Sequence, residues 1–232
     1  MSNFQMPQHV IDRVMEKRGR LNVFESFEPE KTALLIVDMQ NFFVDGVQPC
    51  LDVMPNINRL AEVVRRSGGL VVWVVLTVAE TEDGPSLWPV YHDNFFTEAK
   101  MQAHKKGLTR GSPGHEIHAD MDVHDDDVIS EKTRFSALVQ EASDLHEQLQ
   151  AHGIENVLIG GTLTNMCCES TARDAMMIGY RAIMVEDCNA SRNEEDHAAG
   201  LTSVYQSFCD VRSTDDVIEN VLGAKNAATA AE

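Results

Sequence analysis

Apolar residues along this chain follow two rhythms, and the way they alternate sets the architecture. Near-continuous Val/Ile/Leu runs fall at Ala33–Asp38, Leu70–Val78, Asp127–Glu131, Val157–Gly160 and Ala182–Glu186, with a shorter one near Val211. Runs this short, bounded by turn residues, predict strands buried on both faces. Between them, apolar positions recur every three or four residues over Ile57–Arg66, Ala137–His152, Glu169–Gly179, Glu194–Phe208 and Asp215–Leu222. That spacing predicts amphipathic helices. Strands and helices taking turns in this way specify an α/β fold, a parallel sheet covered by helices on both faces.

Three stretches stand outside the rhythm. Residues 1–30 form a polar lead-in with Val10, Ile11, Val14 and Met15 at helical spacing, apolar positions to be buried on the domain or on a neighbouring subunit. Residues 31–223 form the main domain, and within it residues 79–126 are too long for an ordinary connection. This insertion carries Trp88, Tyr91, Phe95, Phe96 and several histidines, and insertions of that kind form lids or pocket walls. The tail, residues 224–232, is Ala-rich without an apolar anchor and is expected to fray.

Charge narrows the range of partners. Asp and Glu number 37 against 19 Lys and Arg, a net charge of −18, and such a field repels nucleic-acid backbones and anionic membranes. A small molecule is the expected partner, and a single Lys or Arg in a cleft would still admit an anionic one. With no apolar run of membrane-spanning length and no secretory leader, the expected location is cytoplasmic. Five scattered cysteines, Cys50, Cys167, Cys168, Cys188 and Cys209, fit free thiols in a reducing compartment.

The candidate chemistry concentrates in VLIGGTLTNMCCESTARD, Val157–Asp174, where a buried strand breaks at two glycines and delivers Cys167 to the opening of a helix. Unpaired helix N–H groups there would favour the thiolate. The competing reading makes Cys167 and Cys168 small core residues. In an open parallel sheet, ligands bind beyond the carboxyl ends of the strands, where strand order reverses. Asp38 closes the first strand, Lys132 follows the third and Cys167 follows the fourth. Singly they read as well as a cap, an exposed charge and a core thiol. Together they supply a base, a cation and a nucleophile to one crevice.

Around that crevice, Gln40 is a candidate hydrogen-bonding partner for an amide or urea, and Phe42 or Phe43 a candidate wall. Trp88 and Tyr91 are candidates for the roof, Phe135 follows the lysine closely, and Arg134 would hold a carboxylate or form a surface ion pair. For the aromatic residues and Gln40 the alternative is core packing. The acidic stretch HADMDVHDDD, His118–Asp127, lacks metal-ligand spacing and reads as a solvated face, so neither a metal nor another cofactor is expected.

The segments TALLIVDMQNFF, ISEKTRFSAL and GGTLTNMCCESTARDAMMIGYRAIMVEDCNAS together resemble the isochorismatase-like cysteine hydrolases, over roughly Lys31–Val217. The resemblance implies a doubly wound three-layer α/β/α sandwich around six mainly parallel strands, with Asp38, Lys132 and Cys167 as a catalytic triad. The family pattern G-x-x-T-[ND]-x-C, matched by Gly161–Cys167, selects Cys167 over Cys168. It also implies a cis peptide at Thr162–Leu163, an oxyanion hole from the Leu163 and Cys167 amides, and a homo-oligomer, dimer or tetramer. Nicotinamidases in this family add a metal through an Asp and two His after the second strand, whereas LTVAETEDGP at Leu76–Pro85 has no histidine. Some isochorismatases lack the cysteine. The resulting expectation is hydrolysis of a C–N bond in a small amide, ureido or N-carbamoyl compound through a thioester, releasing ammonia. The alternatives are an isochorismatase-type or nicotinamidase-type hydrolase, a thiol redox sensor, and a binding protein without turnover.

Overall fold

A computed structural model describes residues 4–223; the tail expected to fray lies outside them. Six strands make one sheet: β1 (Thr32–Val37), β2 (Leu70–Leu76), β3 (Val128–Lys132), β4 (Asn156–Thr162), β5 (Arg181–Ala190) and β6 (Asp210–Arg212). They run in the order β3-β2-β1-β4-β5-β6, and every pairing is parallel. All of β1 and β4 is buried, which is why these strands carry no alternation of polar and apolar residues.

The helices are α1 (Gln8–Arg18), α2 (Asn41–Val44), α3 (Gln48–Asp52), α4 (Met54–Arg66), α5 (Pro89–Phe95), α6 (Glu98–Gly107), α7 (Leu145–Ala151), α8 (Glu169–Met177), α9 (Glu194–Tyr205) and α10 (Thr214–Asp216), the last continuing as a π-helical turn over Val217–Val221. Leu34 and Ile36 of β1 face one core layer with Ile57, Leu60 and Val217. Ala33, Leu35 and Val37 face the other, with Leu145, Ala172 and Leu201. Helices therefore cover both faces, giving the doubly wound three-layer sandwich. No helix is long and apolar enough to cross a membrane among the described residues.

The chain builds outward from β1 to β3, then returns to place β4 against the other side of β1. Strand order reverses there, opening a crevice beyond the carboxyl ends of β1 and β4. Gly161 makes the approach possible. Its φ is +115°, and a Cβ at this position would lie 2.0 Å from the Val37 carbonyl oxygen. Thr162 then ties the strands together, its hydroxyl donating to the Asp38 carbonyl at 3.1 Å.

Most element boundaries differ from the hydrophobic pattern by no more than three residues. Two depart further. The helix expected over Ala137–His152 begins only at Leu145, because polar side chains hold residues 133–144 in a loop. Thr133 N–H donates to Ala142 O, the Ser143 hydroxyl donates to Ala137 O and accepts from Leu145 N–H, and Glu141 sits at φ +64°. These short-range bonds compete with helix formation. The fifth strand, expected to stop at Glu186, runs on to Ala190 after a shift of register against β4 between Ile159 and Gly161. The lead-in packs on its own domain: Val10 and Val14 of α1 bury against Tyr205, and the Asp210 carboxylate accepts the Val23 and Phe24 amides.

Within the insertion, α5 and α6 meet through His92 and His104, whose Nε2 and Nδ1 atoms lie 2.9 Å apart among Tyr91, Phe96 and Phe42. Burial, with His92 adding to it, pushes the His104 pKa down to about 4. An unfolded imidazole binds a proton below about 6.5. Between the two values the unfolded chain takes up more protons, so stability is full above 6.5 and is lost as pH falls towards 4. The loss amounts to at most ~3 kcal/mol at a rate of ~1.4 kcal/mol per pKa unit. Urea titrations at pH 7.5 and 4.5 are expected to show that deficit in the wild type and to show it reduced in His104→Phe.

Candidate active site

Three strand ends bring the triad together. Asp38 follows β1 in the left-handed region, at φ +52°, and so turns its side chain into the crevice. Lys132 is the final residue of β3, aligned with Leu76 of β2. Cys167 lies in a π-helical turn, Thr164–Cys168, between β4 and α8. The Lys132 ammonium stands 2.8 Å from Asp38 Oδ2, 3.4 Å from Cys167 Sγ and 3.0 Å from the Arg134 carbonyl oxygen, so each of its three hydrogens has an acceptor. Asp38 is 1%, Lys132 0% and Cys167 5% exposed.

Burial sets the electrostatics. It raises the Asp38 pKa above the usual carboxylate range, although Lys132 opposes it. The second carboxylate oxygen, Oδ1, is buried and has no hydrogen-bond partner. Burial likewise works against the Lys132 ammonium, but the charges and hydrogen bonds of Asp38 and Cys167 prevail and its pKa is raised. Burial and the adjacent Asp38 carboxylate push the Cys167 thiol well up. The direction of that shift favours the thiol over the thiolate expected from a helix N-terminus. What rests there is a thiol beside a carboxylate with one unused oxygen. Cys168 turns away into the core, fully buried, with Sγ 4.0 Å from the Gly160 carbonyl oxygen. The peptide between Thr162 and Leu163 is cis.

Of the pocket candidates, three converge. Trp88 lies 4.5 Å from Tyr91 and 4.7 Å from Phe135, and Tyr91 lies 5.1 Å from Phe135, measured between ring centres. Burial and then Cys167 raise the Tyr91 phenol pKa, which puts this ring within electrostatic reach of the thiol. Gln40 needs correcting, and Phe43 is half-buried against the core. Gln40 is fully buried, its amide donating to Leu76 O at 3.1 Å and His115 O at 2.9 Å and its carbonyl accepting Leu76 N–H at 2.8 Å. Both amide hydrogens hold β2 and the insertion, and none is left for a substrate. Phe43 packs edge-on against Phe42 and joins the cluster of Leu76, Val78 and Leu108. Among the described residues Arg134 makes no ion pair: its Nη1 donates to Leu87 O and Thr133 O, and its guanidinium lies 5.4 Å over Trp88.

The acidic stretch before β3 is structural at its end. Asp127 accepts from Arg65 and from the Trp73 indole. Among the described residues, no three His, Cys, Asp or Glu side chains are grouped so as to hold a metal ion.

One residue escaped the sequence reading. Arg192 is exposed two residues beyond β5, and its charge opposes the burial that raises the pKa values of Tyr91 and Cys50. It forms no side-chain hydrogen bond or ion pair with another described residue, unlike Arg134. The signal that would have found it is the true end of β5, which lies at Ala190 rather than Glu186 and so puts Arg192 two residues beyond a strand.

Residues 32–216, most of the chain, match the isochorismatase domain. The chain belongs to the isochorismatase family. Among its relatives, the ureidoacrylate amidohydrolase RutB of Variovorax paradoxus is 32% identical over 214 residues, covering 83% of this chain and 82% of that protein. A cysteine hydrolase from Pseudomonas syringae superposes with a TM-score of 0.72 at 24% identity, covering 86% of this chain and 97% of the other, a likeness of fold. N-carbamoylsarcosine amidase from Thermoplasma acidophilum superposes with a TM-score of 0.63 at 26% identity, over 80% of this chain and 97% of the other. As an isochorismatase-family hydrolase, the chain carries at the family's crevice a lysine that bridges a carboxylate and a thiol.

Proposed function

We propose that this protein is a cysteine hydrolase that cleaves the C–N bond of a small ureido or N-carbamoyl acid and releases ammonia. The observation that carries this reading is Lys132 Nζ held between Asp38 Oδ2 and Cys167 Sγ in a buried crevice, with Asp38 Oδ1 unpartnered. Asp38 accepts the thiol proton as Sγ attacks the carbamoyl carbon, and Lys132 stabilises the anion that results. The Leu163 and Cys167 amides receive the oxyanion, each donor contributing about 3 kcal/mol. Collapse of the tetrahedral adduct breaks the C–N bond, the proton on Asp38 passes to the departing nitrogen, and ammonia leaves. A water then gives its proton to Asp38 as it attacks the S-carbamoyl (thiocarbamate) adduct, and the C–S bond breaks with that proton returning from Asp38 to Cys167.

Two features support the substrate class. Trp88, Tyr91 and Phe135 offer planar surfaces to a flat ureide, and the relatives named above include a ureidoacrylate amidohydrolase and an N-carbamoylsarcosine amidase. Arg192, without an ion-pair partner among the described residues of a chain of net charge −18, suits a substrate carboxylate.

A panel of ureido acids, N-carbamoyl amino acids, their methyl esters, primary amides, nicotinamide and isochorismate tests the reading. Ammonia is expected fastest from a carboxylated ureide, with a mass-detected acyl adduct on Cys167. Nicotinamide or isochorismate as the best substrate by a wide margin would overturn it. Arg192→Gln is expected to raise KM for the acid about tenfold with kcat little changed, and to leave the ester unaffected. Because Asp38 acts as a base and burial raises its pKa, kcat/KM is expected to fall in acid with an inflexion above the ordinary carboxylate value of about 3.9.

A further inference from the structure

Asp38 and Lys132 are set directly by β1 and β3, but Cys167 rides on a turn that belongs to no strand. A π-helical turn lacks the bonding of an ordinary helix, so its position depends on what packs around it. That packing comes from α9 and the residues leading into it. Gly200 lies so close that a Cβ there would meet Asn165 Cα at 2.9 Å and Asn165 N at 3.0 Å. The Ser191 hydroxyl donates to Asn165 Oδ1 at 2.8 Å. His197 Nδ1 and Thr164 Oγ1, both buried, lie 2.8 Å apart at the first residue of the turn. Beyond His197, the Phe4 ring meets the imidazole edge-on at 6.0 Å.

We propose that His197 is a positioning residue which, through Thr164, holds the nucleophile turn at the height where Cys167 Sγ meets Lys132 and Asp38. Only two residues separate Thr164 from Cys167, so a tilt of the turn is carried to the sulfur. A displacement of about 1 Å costs about a hundredfold in rate. Burial lowers the His197 pKa, which keeps the ring neutral and able to bond Thr164. The proposal rests on the hydrolase reading for its rate measurement but not for its test of the turn.

The variants are His197→Ala, His197→Asn, Thr164→Val and the double His197→Ala/Thr164→Val. Asparagine places an oxygen close to where Nδ1 stands. With the best ureide, His197→Ala is expected to lose 30- to 100-fold in kcat with KM within twofold, and Thr164→Val to lose a similar amount. The double variant is expected to lose no more than either single one, and His197→Asn to stay within fivefold of the wild type. Iodoacetamide labelling of Cys167, followed by mass spectrometry, is expected to slow in parallel, and it reads the turn even if no ureide is hydrolysed. A folded His197→Ala with wild-type kcat and labelling rate, whatever its melting temperature, would overturn the proposal. So would a double variant whose losses multiply. Should His197→Ala fail to fold, Thr164→Val and His197→Asn decide the matter by the same two readouts.

Discussion

Cys167→Ala is expected to lose turnover by on the order of 10⁴-fold or more while remaining folded, whereas Cys168→Ala keeps most activity and loses about 1 kcal/mol of stability. The two thiols are neighbours in sequence with different surroundings. Cys167 Sγ lies 3.4 Å from Lys132 Nζ, and Cys168 Sγ is packed in the core beside the Gly160 carbonyl. Removing the first deletes the sulfur that Lys132 holds beside Asp38. Removing the second leaves a small cavity among Ala172, Leu201 and their neighbours. Steady-state rates and urea midpoints on both variants distinguish these effects, and equal loss of activity at unchanged stability would refute the assignment of the nucleophile.

The second large effect belongs to Lys132→Met. Asp38 and Lys132 form an ion pair with both side chains buried, and breaking such a pair from one side costs about 3–5 kcal/mol because a charge is left without compensation. Turnover is expected to vanish with it. Without the lysine, the Asp38 pKa rises further above its unfolded value. The Asp38 contribution is therefore most favourable below the unfolded pKa and is lost as pH rises through the folded one, so the stability deficit of Lys132→Met should be smaller in acid. Asp38→Asn/Lys132→Met removes both charges and is expected to recover much of the stability without recovering turnover. A double variant as unstable as Lys132→Met would show that the cost lies in packing rather than in charge.

How much of this was legible beforehand depended on which forces act locally. β1, β4 and their neighbours announced themselves because strands buried on both faces need apolar residues at every position. Asp38, Lys132 and Cys167 stood out because a carboxylate, a lysine and a thiol lie at the ends of such strands, and the family resemblance gave them an order. Gln40 misled because residue type says nothing about which way a side chain is spent. The Gln40 amide is consumed by backbone groups 36 and 75 residues away, contacts that no local pattern encodes. The helix expected from Ala137 failed for a local reason: Thr133 and Ser143 offer the backbone better bonds in a loop. The upward shift of the Cys167 pKa was not legible because its main cause, burial, is invisible in the sequence.

The strand order also governs when the chemistry comes into being. Lys132 and Asp38 are 94 residues apart in the chain, and Cys167 lies a further 35 beyond Lys132, so no contiguous third of the molecule contains the site. β4 pairs with β1 across the whole segment that carries β2 and β3, and such a distant pairing forms late relative to local helices. A nascent or partly assembled chain thus carries an ordinary cysteine with no base beside it. The Lys132–Cys167 contact therefore reports on the joining of the two halves of the sheet, since it exists only once β3 and β4 are both in place beside β2 and β1.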